Sequence, residues 1–238
     1  MAGGCMRACS TGTCSISPVP RLTARASTRA LAGLYAALGI ASSASAAKRS
    51  RAGEWATKPL LMPVLAAFAV LAAGDRKKDM LLPATGMVLS GLGDVALLGT
   101  EDWFVPGMGA FAAAHACYIT ALAREEAARG VRPRVAAGYA ALWVILISVL
   151  WRGLGNLRVP VAAYSLLLVS MAVLASGRNH RAAAGGALFV ASDALIACSL
   201  AGINAFPRQE SAVMPTYVAA QFLLAAGYLR PQRDPARP

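Results

Sequence analysis

Apolar stretches long enough to cross a bilayer recur along this chain, and only short polar breaks separate them. A helix needs about 20 apolar residues to span the hydrocarbon core. Eight such spans are read at 28–47, 58–74, 79–99, 104–124, 134–151, 159–177, 182–201 and 213–230. The breaks are charged: Asp75-Arg76-Lys77-Lys78-Asp79, Glu101-Asp102, and the stretch from Arg124-Glu125-Glu126 to Arg134. The expected fold class is therefore all-α, a polytopic membrane protein built as a bundle of about eight transmembrane helices. Residues 1–27 read as a disordered or targeting-like N-terminal tail, 28–230 as one membrane domain, and 231–238 as a short C-terminal tail.

Charge sets the orientation. Only 14% of the 238 residues are charged, against roughly a quarter in a soluble domain. Of the 23 Lys and Arg, 16 fall in the N-terminal tail with Arg29, the second, fourth and sixth loops and the C-terminal tail. The positive-inside rule then places both termini in the cytoplasm. The net charge of +12 is this loop bias. No basic helix with interleaved aromatics accompanies it, so no nucleic-acid partner is expected. The location is a plasma or inner membrane in a bacterium, or an organelle membrane if residues 1–27 act as a targeting segment. Five cysteines at irregular spacing form no metal-binding or disulfide framework; Cys117 and Cys198 read as small core residues.

Two acidic residues break the apolar pattern, Asp94 in VLSGLGDVALL and Asp193 in ALFVASDALIA. Each costs about 2.5–3.5 kcal/mol in a bilayer unless it finds a partner, a proton or a wet pocket. At 1.5 Å of rise per residue, Asp94, Asp193 and His115 lie roughly 22, 17 and 14 Å from the inner edge of their spans. That shared depth points to one polar pocket. Ser90 lies one turn before Asp94, Tyr118 three residues after His115, and Ser192 beside Asp193. Tyr164 and Gln221 fall at similar depth, and Lys58 is expected at the outer rim of the second span. GLGDVALL and VASDALIA also echo each other about 99 residues apart, as a repeated four-span unit would.

These segments together resemble the YhhN-like lysoplasmalogenase family. The resemblance runs from about residue 30 to 230 and rests on order and spacing. It comprises Lys58-Pro59-Leu60, Ser90-Gly91-Leu92-Gly93-Asp94, and Phe104 and Gly107 leading to Phe111 and His115-Ala116-Cys117-Tyr118. Gly186-Ala187-Leu188-Phe189-Val190-Ala191-Ser192-Asp193 completes it. It implies a hydrolase of the vinyl-ether bond of lysoplasmalogens that yields a fatty aldehyde and a glycerophosphocholine or glycerophosphoethanolamine. The implied partners are a lysophospholipid substrate and membrane lipid, with no metal or organic cofactor. Oligomeric state is not implied.

The residues suit that chemistry. A vinyl ether is cleaved by protonating its β-carbon and capturing the resulting cation with water, and two carboxyls in different environments can share that work. Asp94 and Asp193 are the expected acid/base pair. His115 would orient one of them or the water. Tyr118, Tyr164, Ser90, Ser192 and Gln221 would supply hydrogen bonds, and Lys58 would hold the lipid phosphate. Two other functions use buried carboxyls. One is a small transporter or proton relay. The other is an intramembrane aspartyl protease, whose GxGD motif Gly91-Leu92-Gly93-Asp94 matches, although Ser rather than Tyr precedes the second aspartate and no Pro-Ala-Leu occurs.

Overall fold

A computed structural model describes residues 19–204 and 207–230. It contains eight long helices: α1 (Val19–Ala47), α2 (Arg51–Ala72), α3 (Lys77–Leu97), α4 (Phe104–Arg124), α5 (Pro133–Leu150), α6 (Arg158–Arg178), α7 (His180–Leu200) and α8 (Glu210–Tyr228). Single 3-10 turns and short links join them, and no strand occurs among the described residues. Residues 1–18 and 231–238, which hold most of the expected tails, lie outside the described residues.

Seven of the helices are long and apolar enough to cross a membrane. The exception is α8, which carries Glu210, Thr216, Tyr217 and Gln221. Its position accounts for that sequence. It packs most extensively on α7, returns to α1, and touches α2 and α3. Tyr217 and Gln221 are buried. Polar side chains in a membrane helix are tolerated where they face protein rather than lipid.

Two helix starts differ from the sequence expectation. α1 begins at Val19, ahead of the expected 28. α2 begins at Arg51 rather than near 58, because Ser50 caps it: its side-chain oxygen accepts the Gly53 N–H at 3.3 Å. An N-cap of this kind satisfies a backbone donor that the helix cannot. Lys58 consequently sits in the interior of α2, roughly 10 Å from its first residue, instead of at the rim.

Consecutive helices pack together except at α5. There α4 packs directly on α6, and α5 leans on α6 from outside with lesser contact to α7. Leu150 is its one buried residue. The other seven helices close a ring through the α1–α8 contact. The tightest crossings rely on missing side chains. A Cβ on Gly86 of α3 would lie 2.7 Å from the Tyr118 ring of α4, and one on Gly185 of α7 would lie 2.7 Å from the Leu224 nitrogen of α8. Small residues at such points let helix backbones approach within a membrane.

The two ends of the bundle differ. At the end that carries the α2–α3, α4–α5 and α6–α7 links, the last carbonyls of α8 are held by side chains from elsewhere. Arg178 donates from Nε to Gly227 O (3.0 Å) and from Nη2 to Tyr228 O (3.0 Å) and Arg230 O (3.2 Å). Asn179 Nδ2 donates to Gly227 O at 3.0 Å, and Arg76 Nη2 to Leu229 O at 2.7 Å. A helix leaves its final carbonyls without internal partners and with partial negative charge, and two arginines answer both needs. Arg178 also pairs with Glu125 and lies over the Tyr228 ring, 5.1 Å from its centroid. Its side chain is 2% exposed.

Breaking a buried pair strands its other charge, which costs about 3–5 kcal/mol, whereas an exposed pair contributes about 0–1 kcal/mol. Arg178→Met should therefore lower the unfolding free energy of the solubilised protein by about 3 kcal/mol or more. Arg49→Met, which removes the exposed pair with Glu210, should change it by under about 1 kcal/mol. Denaturant titration of the two variants beside the parent measures both.

Candidate active site

The bond that α8 makes to α3 organises the site. Tyr217 of α8 donates its hydroxyl to Asp94 Oδ2 at 2.8 Å. Asp94 lies near the C-terminal end of α3 and is 6% exposed. Behind Tyr217 the chain of hydrogen bonds continues inward. Gln221, one turn later on α8, donates from Nε2 to the Tyr217 oxygen at 3.4 Å and accepts the Tyr118 hydroxyl of α4 on Oε1 at 3.0 Å. Three helices are thus linked through side chains alone.

A second chain serves the other carboxyl. Tyr164 of α6 donates its hydroxyl to Asp193 Oδ2 of α7. The Tyr164 oxygen also lies 3.3 Å from His115 Nε2 of α4. A phenol has one proton, and with that proton on Asp193 the contact requires His115 to donate from Nε2. A neutral His115 is then the Nε2–H tautomer. Its Nδ1 is buried with no hydrogen-bond partner.

Aromatic packing fixes the two chains against each other. Phe189, one turn before Asp193, meets the His115 ring edge-on at 4.8 Å and the Tyr217 ring edge-on at 5.5 Å. Phe111 also meets Tyr217 edge-on, at 6.1 Å. Edge-to-face pairs at these separations are favourable and directional, so Tyr217 is held toward Asp94, and His115 is held where its ring meets Tyr164 at 5.5 Å.

Both carboxyls line one cavity of about 150 Å³, without a hydrogen bond between them. Its polar wall comprises Lys58, Asp94, Tyr164, Ser165, Ser192, Asp193 and Tyr217. The rest is apolar and includes four residues of α5, Trp143, Leu146, Ile147 and Leu150. The Trp143 indole donates to Ser165 Oγ at 3.0 Å and ties α5 to α6 across this wall. The cavity lies toward the end of the bundle that holds the α1–α2, α3–α4, α5–α6 and α7–α8 links. No group of three His, Cys, Asp or Glu that could hold a metal ion forms among the described residues.

The residues singled out from sequence fall at three levels. Asp94, Asp193, Tyr164 and Lys58 face the cavity. Lys58 Nζ is 3.7 Å from Glu54 Oε1, and the lysine side chain is 14% exposed. His115, Tyr118 and Gln221 stand behind this wall as fully buried support. Ser90 lies beside the Tyr118 hydroxyl without an aligned hydrogen bond. Ser192 borders the cavity, but its hydroxyl is spent on Val213 O of α8 at 3.1 Å.

Tyr217 and Glu54 were not anticipated from sequence. A signal for Tyr217 was available. It follows Tyr118 by the 99 residues that separate Asp193 from Asp94, and it precedes Gln221 by one helical turn. Glu54 fell in a stretch read as loop because α2 was expected to start later.

A family model described as the YhhN family matches residues 53–228. The chain belongs to the YhhN family. Relatives of this YhhN chain include proteins named lysoplasmalogenase from Mycobacterium bovis and Mycobacterium tuberculosis. Each is 38% identical over 191 residues, covering 73% of this chain and 69% of the relative. The human protein named lysoplasmalogenase TMEM86B is 33% identical over 144 residues, covering 60% of this chain and 62% of its own length. No solved structure matches. The match to the YhhN family begins next to Glu54 and ends at Tyr228, so it contains every residue of the cavity's polar wall.

Gln221 is the hinge of the longer hydrogen-bond chain. Gln221→Leu would leave the buried Tyr118 hydroxyl without its acceptor. A stranded buried polar group costs about 1–3 kcal/mol. A loss of that size in unfolding free energy is expected, together with faster cleavage within α8 at its aromatic and leucine residues, and denaturant titration with limited chymotrypsin digestion checks both.

Proposed function

We propose that this chain is a lysoplasmalogenase: it hydrolyses the vinyl-ether bond of a lysoplasmalogen to a fatty aldehyde and a glycerophospho head group. The observation that carries the reading is the placement of two separately supported carboxyls, Asp94 on Tyr217 and Asp193 on Tyr164, in one largely apolar cavity. Relatives bearing that name at 38% identity support the substrate.

The chemistry follows from the bond to be broken. A carboxylic acid delivers its proton to the β-carbon of the vinyl ether, and the π electrons form that new C–H bond. The α-carbon is left as an oxocarbenium cation. The facing carboxylate stabilises the cation and takes a proton from the attacking water, whose oxygen bonds to the α-carbon. The hemiacetal then collapses. Its hydroxyl proton passes to the carboxylate that protonated the β-carbon, the C–O bond to glycerol breaks, and the departing oxygen receives the proton that the other carboxyl took from water. One water is consumed and both carboxyls return to their starting states. Asp94 and Asp193 share these roles, as paired carboxyls do around a similar cation in glycoside hydrolysis.

The remaining residues position and exclude. Tyr217 and Tyr164 hold one oxygen of each carboxyl and leave the other for the reaction. His115 fixes Tyr164, and Gln221 fixes Tyr217. The apolar wall along α4, α5 and α7 receives the alkenyl chain and keeps bulk water from the cation. The bias of Lys and Arg supports both termini on the cytoplasmic side, with the polar end of the cavity toward the opposite leaflet.

Purified protein incubated with lysoplasmenylethanolamine should release free aldehyde. Proton transfer by a placed side chain is worth about 10²–10⁴ in rate. Asp94→Asn and Asp193→Asn, which keep shape, should each lose at least about 100-fold; full activity in both variants would end this assignment. The carbon-protonation step leaves its own record. In D₂O the aldehyde should carry one deuterium on the carbon next to the carbonyl, read by mass spectrometry. Unlabelled aldehyde formed without exchange would exclude that step.

A further inference from the structure

Glu54 and Lys58 are charged residues of this region that the reaction does not use. Glu54 lies in the first turn of α2, where a carboxylate suits the positive end of the helix dipole. That explains an acid at this position, but not where its side chain points. Glu54 is turned inward, its side chain 22% exposed, with Oε1 3.7 Å from Lys58 Nζ. Lys58 shares the cavity wall with Asp94. At that separation the two form an ion pair without a directional hydrogen bond, so the pair can open for a ligand at little cost.

We propose that Glu54 and Lys58 form a clamp for a zwitterionic head group, in which Lys58 takes the phosphodiester and Glu54 takes the terminal ammonium. The proposal rests on the lysolipid substrate proposed above and names what selects its head group. Residues four apart on a helix are displaced by roughly 6 Å along its axis, a span that the P–O–C–C–N chain of phosphoethanolamine can bridge. The order along the cavity is consistent. The vinyl ether lies between Asp94 and Asp193, and the alkenyl chain runs along α5. The glycerol phosphate continues past Lys58 toward the start of α2, where Glu54 stands.

Charge accounting supplies the selectivity. In the empty site Lys58 and Glu54 neutralise each other. A zwitterion replaces that pair with two new pairs and strands neither residue. A phosphate monoester engages Lys58, leaves Glu54 without a cation, and sets its extra negative charge beside that carboxylate. Discrimination thus comes from a repulsive element as much as from an attractive one. Lys58 serves either ligand; Glu54 decides between them.

The test is binding of saturated 1-O-alkyl lysolipids, which lack the vinyl bond and are not hydrolysed. The full-length protein in nanodiscs is titrated with the alkyl glycerophosphoethanolamine and with the alkyl glycerol 3-phosphate, by calorimetry. The parent should prefer the zwitterion by about tenfold or more, the scale of one charge-assisted contact. Glu54→Gln should bring that ratio close to one, by weakening the zwitterion and not the monoester. Glu54→Asp should retain part of the preference, and Lys58→Met should weaken both ligands. A parent with no preference, or a Glu54→Gln variant in which both affinities change by the same factor, overturns the clamp. Aldehyde release from the matching vinyl ethers is followed separately. A protein that binds selectively but releases no aldehyde keeps the clamp and loses the reaction; one that releases aldehyde without selectivity does the reverse.

Discussion

Asp94 and Asp193, the two carboxyls set within the apolar helices, each accept a tyrosine hydroxyl from a different helix, and the architecture is arranged around meeting that need. Asp94 on α3 takes Tyr217 from α8, and Asp193 on α7 takes Tyr164 from α6. An unpaired carboxylate at this depth would cost several kcal/mol. The tyrosines lower that cost without neutralising the acids, since a phenol donates a hydrogen bond but brings no formal charge. A lysine or arginine at the same places would have made closed ion pairs. The acids are therefore held in place by uncharged donors.

The contrast with the other end of the bundle is instructive. There Arg178 pairs with Glu125 and its remaining donors are spent on the last carbonyls of α8. That cluster is closely packed, with room for little more than a water. It anchors α8 at its C-terminal end, so the N-terminal half of the same helix presents Tyr217 to Asp94 at a defined height. The cavity end is polar but incompletely satisfied: His115 Nδ1 is buried without a partner, and Lys58 has only a loose one. One end of the molecule supplies rigidity and the other carries open valences.

Helices α5 and α8 divide what hydropathy usually joins. α5 is apolar along its length yet barely embedded, and its inner face forms the greasy wall of the cavity. α8 is the helix least suited to lipid and the one most enclosed by protein. A lysolipid needs both environments, a place for its chain that resembles the bilayer and a place for its polar bond that does not.

The amino-acid sequence by itself determined the all-α membrane class, the number of long helices and the two aspartates as the residues out of keeping with their surroundings. Those conclusions need only the length of an apolar run and the cost of a charge within it, which are local properties of a chain in lipid. It also placed Asp94, Asp193, His115 and Tyr164 at one depth, because rise along a helix is constant. Only the tertiary structure decided who touches whom. Depth says nothing about rotation about a helix axis, so Tyr118 could not be told from Tyr217 as the neighbour of Asp94. Nor could Ser192 be recognised as a hydroxyl already committed to a backbone carbonyl. The start of α2 was hidden for a different reason: a serine cap extends the helix through charged and small residues that hydropathy reads as loop. That extension brings Lys58 into the cavity wall and Glu54 alongside it.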